Sequence, residues 1–153
     1  MSAVVSSQTG SQVAIGTMRG KVYLVNRFTG ALEHKYEPHD KKITQVHIRE
    51  GQSIITSSND GTIFIQSLKP EKQSKRINLK EEYEISCFCL IDPNSDLEFV
   101  IGFGKGDLMY YKESMNLLFQ TSVTKKVIHK SESKEGSIIS CVFFKKVIVW
   151  STS

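Results

Sequence analysis

A hairpin-like pattern occurs three times along the chain at nearly constant spacing. The three segments are VAIGTMRGKVYLV at residues 13–25, IITSSNDGTIFIQ at residues 54–66 and FVIGFGKGDLMYY at residues 99–111. Each consists of an apolar run, a small polar or glycine-containing turn and a second run, which is the pattern of a β-hairpin. The shared turn glycines Gly20, Gly61 and Gly106 are 41 and 45 residues apart. A repeat of this length constrains the fold more than any other feature of the sequence.

Further strand-like runs flank each hairpin. Apolar runs precede it, such as ITQVHIR at residues 43–49 and ISCFCLI at residues 85–91, with SAVVS as a shorter first member. The weaker runs ALEHKY, SKRINL and NLLFQTSV follow it, as expected of outer, half-exposed strands. Four short strands in about 40–45 residues match one blade of a β-propeller.

The sequence therefore predicts an all-β fold, a single incomplete β-propeller domain. Three four-stranded blades are expected over about residues 1–37, 38–79 and 80–124, and a final strand pair forms a half blade over residues 136–153. The run IISCVFF at residues 138–144 is interpreted as an innermost strand, like ITQVHIR and ISCFCLI.

Composition excludes several classes of protein. Apolar residues make up 39% of the chain and charged residues 24%, as in an ordinary globular domain. The net charge of +4 is weaker than the basic bias of nucleic-acid-binding proteins, so no nucleic-acid partner is predicted. No apolar run reaches the about 18 residues of a membrane span, and the N-terminus lacks a secretory signal. Cys87, Cys89 and Cys141 are too sparse for a disulfide framework, which indicates a reducing compartment.

The glycine-rich stretch FVIGFGKGDLMYY superficially resembles a phosphate-binding loop. Such a loop needs a lysine and a serine or threonine after its last glycine, and a helix that follows. Here Lys105 precedes Gly106, and DLMYY is strand-like. The stretch is therefore interpreted as a hairpin turn, and no cofactor is predicted.

Catalytic and metal-binding sets are also not indicated. Cys87 and Cys89 share one strand face, but no second pair of cysteines or histidines lies at metal-ligand spacing. The four histidines are scattered over different strands and loops, and no carboxylate pair suggests acid–base chemistry. The sequence predicts a protein that is not an enzyme and holds no metal.

The middle repeat, at residues 39–68, resembles a WD repeat over its whole length. His39 stands where that family has its turn histidine, and Ser58 and Asp60 stand at its S-x-D-G turn. The resemblance implies a WD40-type propeller in which these side chains hydrogen-bond to one another and to a tryptophan on the third strand. Here Gln66-Ser67 replaces the closing Trp-Asp pair, so this turn network is expected to be incomplete.

A closer resemblance covers nearly the whole chain. The segments IGTMRGKVYLVN, KKITQVHI, GFGKGDLMYYKES and EGSIISCVFFKKVIVWSTS are similar, in order and spacing, to the N-terminal propeller of the vacuolar protein sorting subunit 41 family. Trp150 falls where this family has a W-A-N segment. The family also has tryptophans near the position of Asn116 and at the position of Phe143, and their absence suggests a divergent member.

This resemblance implies a scaffold in vesicle trafficking and fusion. The family belongs to the HOPS complex, which tethers late endosomes and vacuoles or lysosomes before fusion. The implied partners are other tethering-complex subunits and a Rab-family small GTPase. The implied location is cytoplasmic, peripheral on the late endosome, vacuole or lysosome membrane. The alternative is a WD-type recognition module of an unrelated assembly, such as one for ubiquitin ligation or RNA processing.

Positive residues concentrate in segments that a propeller places on one face, the second-to-third-strand turns and the blade connections. They are Arg19, Lys41, Lys42, Lys105, Lys125, Lys126, Lys130 and Lys134, interspersed with Asp40, Asp60, Glu132 and Glu135. The pattern predicts either a solvated rim or a basic face that meets an acidic protein or anionic membrane surface.

Blades at the open ends of an incomplete propeller lack one packing neighbour. We therefore expect self-association of this chain, for example as a dimer whose halves complete one another.

Overall fold

The computed structural model describes residues 1–7, 9–49, 51–79, 85–90, 97–103, 107–112, 117–122, 130–134, 138–143 and 146–151. The described strands form four antiparallel sheets, three with four strands and one with three. Within each sheet the strands are adjacent in chain order. This confirms the predicted all-β class. No helix among the described residues is long and apolar enough to cross a membrane.

The chain divides into two compact units, Met1–Glu82 and Tyr83–Ser153. The first unit contains two four-stranded sheets, blade 1 and blade 2. The strands of blade 1 are β1 (Ala3–Ser6), β2 (Gln12–Gly16), β3 (Val22–Asn26) and β4 (Leu32–Tyr36). The strands of blade 2 are β5 (Ile43–Arg49), β6 (Ser53–Ser58), β7 (Thr62–Ser67) and β8 (Lys75–Asn78).

The core of the first unit lies between one face of blade 1 and strand β5. Alternate residues of β2 and β3, among them Ala14 and Leu24, are fully buried there with Ile43 of β5. A side chain at Gly16 would come within 2.7 Å of Ile43 Cγ2, so the absence of a Cβ allows β2 and β5 to pack closely. Burial of alternate residues is the period expected of strands with one face against the core.

Two tight turns of the first unit require glycine. Gly20 and Gly61 follow β2 and β6 with φ angles of 74° and 78°, a region that other residues rarely adopt. The predicted hairpin turns of the first two repeats are therefore present.

Strand direction gives the first unit two distinct edges. Because Ala3 pairs with Gly16 and the Ile43 N–H donates to the Thr17 carbonyl (3.1 Å), β1 and β5 begin at the same edge. This edge, here called the connection edge, carries residues 17–20, 37–42 and 59–61. The opposite edge carries the turns that follow β1, β3, β5 and β7.

The second unit contains one four-stranded and one three-stranded sheet. The strands are β9 (Ile85–Leu90), β10 (Glu98–Phe103), β11 (Asp107–Lys112), β12 (Leu117–Ser122), β13 (Lys130–Lys134), β14 (Ile138–Phe143) and β15 (Lys146–Ser151). Strand β10 is strongly apolar: Phe99 and Phe103 are fully buried, and the Phe99 ring stacks on that of Tyr111 with a centroid distance of 4.7 Å.

Strand β13 adds a third strand to the final pair expected over residues 136–153. It pairs with β14, which is consequently the middle strand of its sheet. This corrects the interpretation of IISCVFF as an innermost strand. The sequence of β13, KSESK, has no apolar residue, so its strand character comes from pairing with β14 and not from hydrophobic patterning.

Candidate functional site

His39 is the centre of a buried hydrogen-bond network in blade 2. The side chain lies in the connection before β5 and has no solvent exposure. Its Nδ1 atom lies 2.8 Å from Thr62 Oγ1 and 3.2 Å from Asp60 Oδ2, and its Nε2 atom lies 2.8 Å from Thr56 Oγ1. Both ring nitrogens are therefore satisfied, as a buried imidazole requires.

Asp60 connects this network to the β6–β7 turn. Its Oδ1 atom accepts hydrogen bonds from the backbone N–H (2.9 Å) and the hydroxyl (2.6 Å) of Thr62. Its Oδ2 atom accepts a bond from the Asp40 N–H (3.1 Å). One carboxylate thus fixes both the turn and the connection that enters blade 2, because an aspartate readily bonds to the backbone two residues ahead.

Ser58 bonds to Asp60 within the turn but does not contact the imidazole. The hydroxyl that contacts His39 belongs to Thr56, whereas Ser58 Oγ donates toward the Lys42 carbonyl (2.9 Å) and accepts from the Asp60 N–H (3.2 Å). Thr56 and Ser58 share one face of β6. Thr56 is further from the β6–β7 turn than Ser58, and the imidazole lies beside the Thr56 hydroxyl. The structure brings together His39 and Asp60 and adds Thr56 and Thr62 to the network.

Thr62 was missed by the sequence analysis, although its position after Asp60-Gly61 was a usable signal. An aspartate two residues before a threonine commonly caps the backbone N–H of that threonine. No comparable signal selected Thr56 over Ser58.

Burial sets the protonation of the network. It lowers the pKa of His39 below its usual range, and the attraction of Asp60 opposes this only in part. Burial alone would raise the pKa of Asp60, but the hydrogen bonds from Thr62 and the Asp40 N–H bring it below its usual value. Since the Thr62 hydroxyl donates to Asp60, a proton on Nδ1 of a neutral His39 finds acceptors in Thr62 and Asp60, and Nε2 faces the Thr56 hydroxyl. The network is thus a structural brace made of neutral imidazole and carboxylate.

The position of the missing tryptophan is filled by polar contacts. Gln66 Nε2 donates to Ser74 Oγ (2.8 Å) and to the Ser67 carbonyl, which ties β7 to the start of β8. Arg76 lies 5.6 Å from the centre of the Phe64 ring and donates to the Pro38 carbonyl. Blade 2 therefore joins its outer strand to its entry segment without the tryptophan of the WD repeat.

Three of the predicted basic residues lie together on the connection edge. Arg19 is in the β2–β3 turn, and a side chain at neighbouring Gly20 would lie 1.9 Å from the His39 carbonyl oxygen and 3.0 Å from that of Lys41. The turn is therefore packed against the segment that carries Lys41 and Lys42. All three cationic side chains are exposed.

Acidic residues on the same edge are partly engaged elsewhere. Glu37 forms ion pairs with Lys21 and Lys35, each at 3.0 Å, and these cations lower the pKa of Glu37. Asp60 is held in the network described above. Within the described part of the chain, no ion pair engages Arg19, Lys41 or Lys42. These three residues are here called the basic cluster, and the exposed Asp40 lies next to Lys41 in the chain.

The remaining predicted residues of the basic face fall into two groups. Lys105, Lys125 and Lys126 lie outside the described residues. Lys130 and Lys134 are the ends of strand β13 and not part of a connection.

Metal and cysteine chemistry find no support among the residues that the structure describes. They contain no group of three or more His, Cys, Asp or Glu side chains that could hold a metal ion. Cys87 and Cys89 are buried in β9 and form no disulfide bond.

Three solved structures share this fold over 99% of the chain. The β-propeller domain of Myceliophteria thermophila Cps50 (Swd1) matches with a TM-score of 0.80 at 12% identity. The computationally designed proteins Ika8 and Ika4 match with TM-scores of 0.81 and 0.78, each at 16% identity. The chain covers 53% of the Cps50 domain, 45% of Ika8 and 91% of Ika4. At these identities the likeness shows the fold alone, and it confirms the predicted partial β-propeller.

Comparison with known sequences gives a match to a family model but none to an individual curated protein. No curated protein matches the chain significantly. A protein-family model, that of the Vps41 β-propeller with the description "Vps42 beta-propeller", matches residues 2–153. Because this match extends over nearly every residue, the chain belongs to the Vps41 β-propeller family.

Proposed function

We propose that this chain is the propeller portion of a HOPS-type tethering subunit, acting in vesicle trafficking and fusion at the late endosome, vacuole or lysosome. The observation that carries the proposal is the family match over residues 2–153. The chain acts without catalysis, by holding turns and connections on rigid blades where partner proteins contact them. Its partners are other subunits of the tethering complex and a Rab-family small GTPase. It is located in the cytoplasm, peripheral on the target membrane.

The basic cluster of the connection edge is the proposed contact for the GTPase. Its backbone is fixed, because the Arg19 turn packs on residues 39–41 and the His39 network anchors the connection. Exposed cations on a rigid support attract an acidic partner at long range and orient it with little loss of conformational entropy. The chain spans about half of the length of the Cps50 propeller domain.

A nucleotide-dependent binding experiment tests this function. Rab-family GTPases of the late endosome and vacuole, loaded with GDP or a GTP analogue, are captured on the immobilised chain. We expect binding that depends on the GTP state. The triple variant Arg19→Glu, Lys41→Glu, Lys42→Glu is expected to bind about tenfold more weakly, because each reversed charge repels the acidic partner.

The matched control reverses one charge at the opposite edge, Lys72→Glu, and is expected to leave GTPase binding unchanged. Equal capture of both nucleotide states would contradict the function, and unchanged affinity of the triple variant would contradict the assignment of the surface. The alternative function, recognition in ubiquitin ligation or RNA processing, predicts no GTPase binding in either nucleotide state.

A further inference from the structure

The β3–β4 turn of blade 1 exposes a large aromatic side chain to water. Phe28 is 77% exposed, and Leu32, at the start of β4, is 56% exposed. Both lie at the opposite edge of the first unit, away from the basic cluster. A single exposed leucine is unremarkable in a soluble protein, but a phenylalanine at the tip of a turn leaves most of an apolar ring without a partner.

The turn that carries Phe28 is rigid. Asn26 Oδ1 accepts hydrogen bonds from the backbone N–H groups of Phe28 (3.0 Å) and Thr29 (3.1 Å). The Gly30 N–H donates to the Asn26 carbonyl (2.9 Å), and the Asn26 N–H donates to the Ala31 carbonyl (2.9 Å). The exposed ring is thus presented on a fixed support and can be buried by a partner with little loss of backbone entropy.

Cations accompany the exposed ring at this edge. Arg27 precedes Phe28 and is exposed, and a side chain at Gly10 would lie 2.9 Å from Arg27 Nη1, which places the guanidinium beside the β1–β2 turn. In blade 2, the β7–β8 segment supplies Lys69 and Lys72 together with one acid, Glu71. Glu50, in the β5–β6 turn, lies outside the described residues.

Among the described residues of the connection edge, no aromatic side chain is exposed as Phe28 is. The exposed apolar side chain of this edge, Met18, is less exposed at 57%, and Glu37, Asp40 and Asp60 lie on the same edge. At the opposite edge the Glu33 carboxylate accepts hydrogen bonds from the side-chain amides of Asn26 and Gln12, and Arg27, Lys69 and Lys72 supply positive charge for anionic head groups. Both edges carry cations and acids, so they differ chiefly in the exposed aromatic ring.

We infer that the β3–β4 turn is a membrane-contact element, which places the Phe28 ring in the interfacial region of a bilayer that contains anionic lipid while Arg27, Lys69 and Lys72 contact the head groups. A projecting tip suits a bilayer, which accepts a protruding ring without a shaped pocket. The inference deepens the proposed function: the GTPase and the membrane contact opposite edges of the same unit, so both can be bound at once. Its test does not depend on the GTPase.

Vesicle binding of single-site variants tests the inference. The chain is mixed with vesicles of phosphatidylcholine alone or with about one-third phosphatidylserine, and bound protein is separated by flotation. We expect binding that requires phosphatidylserine and decreases as salt rises, since salt screens the attraction. Phe28→Ala is expected to reduce the partition coefficient at least about tenfold, because burial of a phenylalanine side chain is lost. The exposed position predicts an unchanged thermal midpoint for this variant.

A spectroscopic comparison locates the inserted edge. Phe28→Trp and Met18→Trp place an indole on opposite edges, and the parent chain, with Trp150 as its single tryptophan, is the blank. We expect a blue shift and quenching by brominated lipid for Phe28→Trp, and neither for Met18→Trp. Quenching of Met18→Trp in place of Phe28→Trp, or failure of the parent to bind anionic vesicles, overturns the inference. So does loss of GTPase binding by Phe28→Ala with unchanged vesicle binding, which would make the turn a protein contact.

Discussion

At the scale of single residues, His39 shows how one side chain can join four segments of a blade. Its two ring nitrogens contact Thr56 on β6 and Thr62 on β7, and the Asp60 carboxylate beside it accepts from the N–H of Asp40. The buried imidazole has no water to replace a lost partner, so its charge state affects the stability of the whole blade.

We expect the first unit to lose stability as pH falls below about 6.5. The pKa of His39 is lowered in the folded chain, so the unfolded chain binds this proton first. Stability is fully present above the unfolded pKa and decreases between that value and the lowered folded pKa, by up to about 1.4 kcal/mol per pH unit. Asp60 contributes in the same direction only at lower pH, near the ordinary aspartate range.

The measurement is the free energy of urea unfolding at several pH values from about 7.5 to 5. His39→Gln is expected to unfold more easily at every pH but with a weaker dependence on pH. His34→Gln, a change on the exposed β4 strand, is expected to keep the parent slope. An unchanged slope in His39→Gln would show that another group controls the acid response.

The sequence named His39, Ser58 and Asp60 for the turn network; in the structure Ser58 bonds to the Asp60 N–H, and Thr56 supplies the hydroxyl that meets the imidazole. Thr56 and Ser58 are two residues apart on one strand. Because side chains alternate between the two faces of a strand, both lie on the same face, and the pattern does not show which of them the imidazole reaches. Which of them meets the imidazole depends on how far the ring extends into the blade, and this is fixed by the path of the connection. That path is a tertiary property, so it could not be obtained from the local pattern.

At the scale of elements, the turn of blade 1 and the connection to blade 2 are fitted to one another at Gly20. The residue has a positive φ of 74°, and the space where a Cβ would lie is filled by the His39 carbonyl at 1.9 Å. Gly30 has a similar φ of 69° but nothing within 4 Å of the corresponding position. Substitution at Gly30 therefore tests the cost of the left-handed backbone alone, whereas substitution at Gly20 adds the cost of a steric clash.

We expect Gly20→Ala to be far more destabilising than Gly30→Ala. The change at Gly30 costs the left-handed conformation alone, about 1 kcal/mol. The change at Gly20 adds a clash with backbone that cannot rotate away, and we expect a total loss of at least about 3 kcal/mol. Urea unfolding of the two variants measures the difference. Equal losses would mean that the connection moves freely away from the turn.

The strands show which elements are encoded locally. The hairpins over β2–β3 and β6–β7 were predictable because apolar runs surround a glycine that the turn needs. Strand β13 was not predictable, because KSESK has neither apolar alternation nor a turn signal. It is a strand because its backbone groups pair with those of β14. Such pairing does not depend on side-chain type, so the composition of the segment does not predict it.

At the scale of the whole molecule, blade 1 has a second apolar face. Val4, Ile15 and Tyr23 are cross-strand neighbours on the side of the sheet opposite to the one packed on β5. Val4 is 50% exposed, and Ile15 and Tyr23 are partly buried. Blades of a propeller pack face to face, so another blade can cover this surface.

Self-association therefore stays a prediction for this chain. In sedimentation at micromolar concentration we expect species heavier than the 17.3 kDa monomer, because association buries the second face of blade 1. Tyr23→Lys is expected to shift the distribution toward monomer, and Met18→Lys, on the exposed β2–β3 turn, is expected to have no effect. A single monomer boundary for the parent at all concentrations would refute the prediction.

The close fit of Gly16 against Ile43 also has a consequence for synthesis. Blade 1 emerges from the ribosome before β5, the partner of its core face, which begins seven residues after β4 ends at Tyr36. At about 5–20 residues per second, the delay between completion of the sheet and arrival of its cover is on the order of a second. During that interval Ala14, Val22 and Leu24 are open to chaperones or to neighbouring nascent chains. The short connection thus limits the time in which the growing chain can be captured by the wrong partner.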